Sequence, residues 1–139
     1  MKEERPLTHI SNTEIVSFPD YSIDSVIAKI DTGADSSAIW ASNITEHNGE
    51  LSFSLFGPGF RYYSGEIIKT KQYSLVTIKN SFGQKEVRYR VYIRVLLANR
   101  LINTKVTLAN RSSNKFPILI GRRTLRGKFL VDVSRKVLL

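Results

Sequence analysis

The sequence predicts an all-β domain, and three observations predict it. Apolar and polar residues alternate over Glu50 to Phe56, Tyr73 to Lys79 and Glu86 to Leu97, the period-two pattern of half-buried strands. Turn-forming residues punctuate the chain, as in Pro19-Asp20, Asn48-Gly49, Gly57-Pro58-Gly59 and Asn80 to Gln84. Only one stretch, Gly121 to Gly127, reads as a helix, and it is short.

Taken in order, Met1 to Leu7 is expected to fray, and residues 1–11 to form a flexible N-terminal segment. Thr13 to Phe18 reads as the first strand, followed by a turn at Pro19 to Ser22. Ser25 to Ile30 is a strand whose near-continuous apolar character predicts burial on both faces. Ser37 to Ala41 is a short strand, and Asn43 to Glu50 a polar connection. Trp40 is expected in the core, a place in a substrate cleft being the alternative. In the strand Glu86 to Leu97, Tyr89, Val91, Ile93 and Val95 share one face, with Arg88, Arg90, Tyr92 and Arg94 on the other. Ala98 to Leu101 is a turn, Ile102 to Leu108 a strand, and Asn110 to Lys115 a polar loop. Phe116 to Ile120 and Phe129 to Val133 are strands, and Lys136 to Leu139 is further strand material.

The 139 residues suit one domain, 1–139, able to bury a core without staples. There is no cysteine, so thiolate chemistry and disulfide frameworks are excluded. No apolar run approaches the roughly 20 residues of a membrane span, and the N-terminus lacks the apolar core of a signal peptide. A cytoplasmic protein without membrane contact is expected. The net charge of +9 is lopsided: residues 1–60 carry three Lys/Arg against nine Asp/Glu, and residues 61–139 eighteen against three. Such asymmetry either solvates one half or steers an acidic partner to it. No RNA-binding motif or aromatic ladder accompanies it, so nucleic acid is not the expected partner.

One stretch does not fit a purely structural role. The apolar strand Val26 to Ile30 runs directly into Asp31-Thr32-Gly33-Ala34-Asp35. A carboxylate beside an apolar strand is costly unless it is paired or used. Far downstream, Phe116-Pro117-Ile118-Leu119-Ile120-Gly121-Arg122 repeats the theme of an apolar run ending in glycine. Together with Val106-Thr107-Leu108-Ala109-Asn110-Arg111 and Gly127-Lys128-Phe129-Leu130-Val131-Asp132, this pattern resembles the retropepsin-like aspartic proteases. The closer resemblance is to a bacterial and archaeal subfamily labelled putative ATP-dependent zinc proteases, and it covers about Asn12 to Leu139.

That resemblance implies a closed β-barrel with a flap hairpin and one short C-terminal helix. It implies Asp31 as the catalytic carboxylate, with Thr32, Gly33 and Ala34 completing the active-site loop. Ile118, Leu119, Ile120 and Gly121 would form the strand beside the site. Asp35 and Arg122 would form a structural ion pair, worth about 3–5 kcal/mol if buried. The flap tip would hold Ser81, Phe82 and Gly83, Gly57-Pro58-Gly59 being the rival tip. Cleavage by this chemistry needs two carboxylates, one ionised and one protonated. The chain has a single Asp-Thr-Gly, so the family arrangement implies a homodimer with Asp31 from each subunit on the twofold axis.

The zinc label finds no support in the residues. The two histidines, His9 and His47, lie outside any His-Glu-x-x-His pattern, and no phosphate-binding loop occurs. No cofactor and no metal are expected. Some members of the subfamily accompany ATP-grasp ligases that add glutamate tails, which implies trimming of glutamate-linked peptides and a functional link to such a ligase. Arg61, Arg88, Arg90 and Arg94 are then candidates for reading an acidic tail. The competing expectations are a catalytically silent dimerisation or binding module and a basic domain that binds nucleic acid.

Overall fold

The computed structural model describes residues 5–80 and 82–135. Eleven strands, one four-residue helix and a single 3-10 turn make up the regular structure of the described residues. The strands are β1 (Thr8–Ile10), β2 (Thr13–Phe18), β3 (Ile23–Ile30), β4 (Ser37–His47), β5 (Glu50–Leu55) and β6 (Ile68–Thr70). They continue with β7 (Tyr73–Lys79), β8 (Lys85–Leu97), β9 (Arg100–Ala109), β10 (Ile118–Ile120) and β11 (Phe129–Val131), and α1 is Arg122–Leu125. The retropepsin-like, all-β expectation is met.

The sheet closes on itself. β3 pairs with β2, β2 with β8, β8 with β9, and β9 with β4. β10 lies between the two ends, parallel to β3 and antiparallel to β4. Six strands therefore form a ring, and β5 and β6 extend it beyond β4. The ring is filled by alternate side chains: Val16, Phe18, Ile39, Val95, Leu97, Ile118 and Ile120 are wholly buried. β10 has only three residues, but burying Ile118 and Ile120 is worth about 1.5–3 kcal/mol each. Packing, rather than strand length, fixes its place.

Several expectations are corrected. β3 is buried on one face only: Val26, Ala28 and Ile30 point inward, while Ser25 and Lys29 are exposed. The strand beginning at Ser37 runs on to His47 through the stretch read as a polar connection. A register shift between Ser42 and Thr45, with Asn43 at φ 54°, lets it bend and keep pairing with β5. Thr8–Ile10, expected to lie in a flexible segment, pair parallel with β11 in a separate two-stranded sheet. Arg100 ties this pair down: its guanidinium donates to the Pro6 carbonyl (2.6 Å) and Thr8 Oγ1 (3.3 Å) and stands over the Phe129 ring. Ser81 and Lys136–Leu139 lie outside the described residues.

Candidate active site

The Asp31 loop hangs between two strands that hold it from both sides. The Asp31 amide donates to the Ile120 carbonyl at 2.8 Å, so the first loop residue is still tied to β10. The carboxylate is half-buried, and its Oδ1 accepts from the Gly33 amide at 3.0 Å. The Ala34 amide donates back to the Asp31 carbonyl, closing a turn. Thr32 and Gly33 are exposed at its tip. The carboxylate is thus held by a backbone amide in a turn whose tip is open to solvent.

Gly121 lets the two parts of the site meet. Its φ of −94° is open to any residue, so its role is space rather than conformational freedom. A Cβ there would lie 2.5 Å from the Ser36 carbonyl oxygen and 3.0 Å from that of Ala34. The loop and the start of α1 are laced by backbone bonds from Arg122 to Ala34 (2.8 Å) and from Arg123 to Asp35 (3.1 Å).

Beneath them runs a chain of buried hydroxyls that the sequence did not reveal. The Gly121 amide donates to Ser37 Oγ at 3.0 Å. Ser37 Oγ is 2.7 Å from Thr124 Oγ1, which is 2.7 Å from Thr104 Oγ1. Each hydroxyl can accept one bond and donate another, so the three can bond in sequence from the Gly121 amide. It joins β4, β9 and α1 under the loop.

The structure brings Asp35 and Arg122 together, but only loosely. Arg122 Nη2 is 3.7 Å from Asp35 Oδ1, while its Nη1 donates to the Thr32 carbonyl at 3.0 Å. Arg123, which the sequence reading left without a role, makes the closer contact through Nε to Asp35 Oδ2 at 3.0 Å. The Asp35 side chain is 50% exposed and those of Arg122 and Arg123 are 47% and 61% exposed. A network this open is screened by water, so the buried-pair value does not apply.

The hairpin of β7 and β8 pairs without interruption from Tyr73–Val91 to Lys79–Lys85. Its tip is organised by Asn80, whose Oδ1 accepts from the Phe82 and Gln84 amides at 3.0 Å each. Gly83, at φ 80°, makes the left-handed turn that brings its amide to the Asn80 carbonyl. Phe82 stands 88% exposed. Ser81, expected at this tip, lies outside the described residues. In the rival tip, Gly57-Pro58-Gly59, Gly57 is buried while Pro58 and Gly59 are exposed. A Cβ on Gly57 would meet the Trp40 ring at 2.7 Å, and Phe60 packs edge-on against that ring at 5.7 Å. Trp40 is neither wholly core nor free: one side lines a cavity of about 320 Å³ with Phe60, Arg111, Lys115 and Pro117.

The four arginines proposed as readers of an acidic tail separate clearly. Arg94 is committed to Asp20, with Nε–Oδ2 at 2.9 Å. Arg61 lies over the Tyr62 ring. Arg88 donates to Glu86 Oε2 at 3.0 Å, leaving its buried Nε without a partner among the described residues. Among the described residues, Arg90 donates only to Ser74 Oγ, at 3.3 Å. A fifth, Arg111, entered the sequence reading only as the end of a motif. Burial pushes its guanidinium pKa down and nearby Arg88 adds to this, while Asp31 opposes it. Arg111 also closes its loop by donating from Nε to the Phe116 carbonyl at 3.0 Å.

Beside Thr32 the surface turns apolar. Leu125, Phe129, Leu130 and Val131, with Thr32, Arg122 and Arg126, line a shallow depression of about 390 Å³, and Leu130 is 48% exposed. Among the described residues, no group of three or more His, Cys, Asp or Glu side chains is placed to hold a metal ion. No helix among them is long and apolar enough to cross a membrane.

Residues 9–139 match the family model described as RimB-like, retropepsin-like aspartic endopeptidase RimB. Among curated proteins, the chain is 33% identical over 132 residues to a probable alpha-L-glutamate ligase of Shewanella pealeana, covering 90% of this chain and 28% of that one. It is 28% identical over 127 residues to a protein of the same description from Desulfotalea psychrophila, covering 88% and 27%. The chain thus spans little more than a quarter of these relatives. Among solved structures, a protein of unknown function from Legionella pneumophila superposes with a TM-score of 0.72 at 25% identity, over 92% of this chain and 95% of that one.

Proposed function

We propose, for a chain that belongs to the RimB-like family of retropepsin-like aspartic endopeptidases, that Asp31 hydrolyses peptide bonds in a site completed by a second copy. The observation that carries this reading is the Asp31 loop. The Asp31 backbone is held by Ile120 and Ala34, and its carboxylate accepts only the Gly33 amide among the described residues, which leaves it free acceptor capacity in an exposed turn. In the dimer, one Asp31 takes a proton from water as that water attacks the scissile carbonyl. The other, protonated, donates to the carbonyl oxygen. Two carboxylates at such close range share a single proton and titrate as a pair. The depression beside the loop supports the pairing, because Leu125, Phe129, Leu130 and Val131 leave apolar surface there alongside Arg122 and Arg126, with Leu130 half-exposed. In this reading the β7–β8 hairpin serves as the flap that closes over the peptide.

The substrate in this reading is an acidic, glutamate-tailed peptide or protein. The charge of residues 61–139 favours it, and so do the relatives named as glutamate ligases, which suggest a functional link to such a ligase. Analogy of fold alone does not fix activity. The test is cleavage of a peptide library that includes glutamate-tailed members by the native chain and by Asp31→Asn, with products read by mass spectrometry. Cleavage that disappears in the variant is expected; cleavage that persists contradicts the mechanism. The second reading is a catalytically silent binding module. It draws on the relatives, in which the matching segment is only 27–28% of a chain named for ligation. A folded, dimeric native chain that binds but cuts no member of the library would favour it.

A further inference from the structure

A basic trough leaves the active-site loop across the outer face of the β8–β9 pair. It consists of two adjoining cavities of about 290 and 450 Å³ that share Arg90, Tyr92 and Lys105. The first is bounded at the loop end by Ser36 and Arg123; the second opens toward Ser74 on β7. Strand register sets the spacing, with Tyr92 opposite Lys105 and Arg90 one step along the same face, opposite Thr107. No Asp or Glu lines either cavity. Neither Arg90 nor Lys105 is in an ion pair among the described residues, whereas Arg88, Arg94, Arg122 and Arg123 each have one. Lys105 Nζ rests over the Tyr92 ring at 5.5 Å. Two uncompensated cations on one concave face repel each other and raise the local potential, and an anion laid between them relieves both effects.

We propose that this trough is a docking site for a run of side-chain carboxylates on an acidic polypeptide, separate from the catalytic aspartate. It rests on the peptidase reading for its purpose, since the trough begins at Ser36, five residues after Asp31 on the same loop. The binding itself needs no turnover. An acidic peptide fits better than nucleic acid, because both aromatic rings of the trough are already engaged, Tyr92 under Lys105 and Tyr73 edge-to-face with Tyr89 at 5.9 Å, rather than set out as a platform for stacked bases.

The experiment uses the full chain carrying Asp31→Asn, so that nothing is cut. Fluorescent oligoglutamate, oligoglutamine of equal length and a single-stranded oligodeoxynucleotide are titrated at two salt concentrations. Oligoglutamate is expected to bind, more weakly at high salt, and oligoglutamine to bind far less. Adding Arg90→Gln or Lys105→Gln should weaken oligoglutamate binding by about fivefold, and both together by more than about tenfold. Lys69→Gln, on β6 at the far end of the sheet, removes the same charge and should change it by less than about twofold. The trough is refuted if the Arg90 and Lys105 variants bind like their parent, or if Lys69→Gln weakens binding as much. No binding of oligoglutamate, or tighter binding of the oligodeoxynucleotide, also overturns it. Binding that depends on Arg90 and Lys105, with no cleavage by the native chain, upholds the trough while the peptidase reading fails.

Discussion

A methyl group on Gly121 has nowhere to go: the carbonyls of Ser36 and Ala34 fill its place, and both belong to the loop that carries Asp31. Gly121→Ala should therefore destabilise the fold by about 1–3 kcal/mol through overpacking, read as a lower urea midpoint. An unchanged midpoint would mean that the loop yields freely. Asp35 behaves in the opposite way. Its contacts with Arg122 and Arg123 are half-exposed, so Asp35→Asn should cost less than about 1 kcal/mol in thermal unfolding. A loss several times larger would restore the buried pair that the sequence suggested. Asp31, Gly121 and Arg122 were legible because they sit in short contiguous motifs. Ser37, Thr104 and Thr124 were not, because a hydroxyl's partner is set by packing: Ser37 meets Thr124 from 87 positions away. Nothing in their local sequence distinguishes them from solvated surface residues.

Among the elements, alternation located β5, β7 and β8 nearly to the residue, since successive side chains of a strand face opposite sides; β8 buries every second residue from Val91 to Leu97, whereas β7 buries none fully. It failed on β4, where Asn43 to His47 are polar because this end of the strand is largely exposed. The strand persists there through pairing with β5, which leaves no hydrophobic trace. β1 is similar: three residues held by β11 and by Arg100, contacts made between opposite ends of the chain. The β7–β8 tip was recognised as a turn, but its mechanism, the Asn80 side chain, was not. Asn80→Ala removes the acceptor for the Phe82 and Gln84 amides. Hydrogen exchange at those two amides should then rise by about tenfold or more, with global stability changed by less than about 0.5 kcal/mol. Exchange that stays the same would place the order of the tip elsewhere.

For the whole molecule, charge ties the acidic first half to the basic second. Arg94 on β8 holds Asp20 beside β2, and its hydrogen bond keeps the Asp20 carboxyl below its ordinary pKa of 3.8. Hydrogen bonds from Ser134 do the same for Asp132. A carboxyl with a lowered folded-state pKa adds stability above its unfolded pKa and loses it as the pH falls through the folded value. Stability should therefore drop as the pH is taken below about 4. Arg94→Gln should destabilise at neutral pH and cease to matter once Asp20 is protonated, which urea unfolding at the two pH values would show. An equal effect at both would assign Arg94 a packing role only. The central claim is that one site needs Asp31 from two chains. Native and Asp31→Asn chains should be mixed in varying proportion, refolded together at constant total concentration, and assayed on one cleavable peptide. If both carboxylates are required, activity falls as the square of the native fraction, so an equal mixture keeps about one quarter. Activity that falls in direct proportion, leaving about one half, would mean that each chain works alone and would contradict the account.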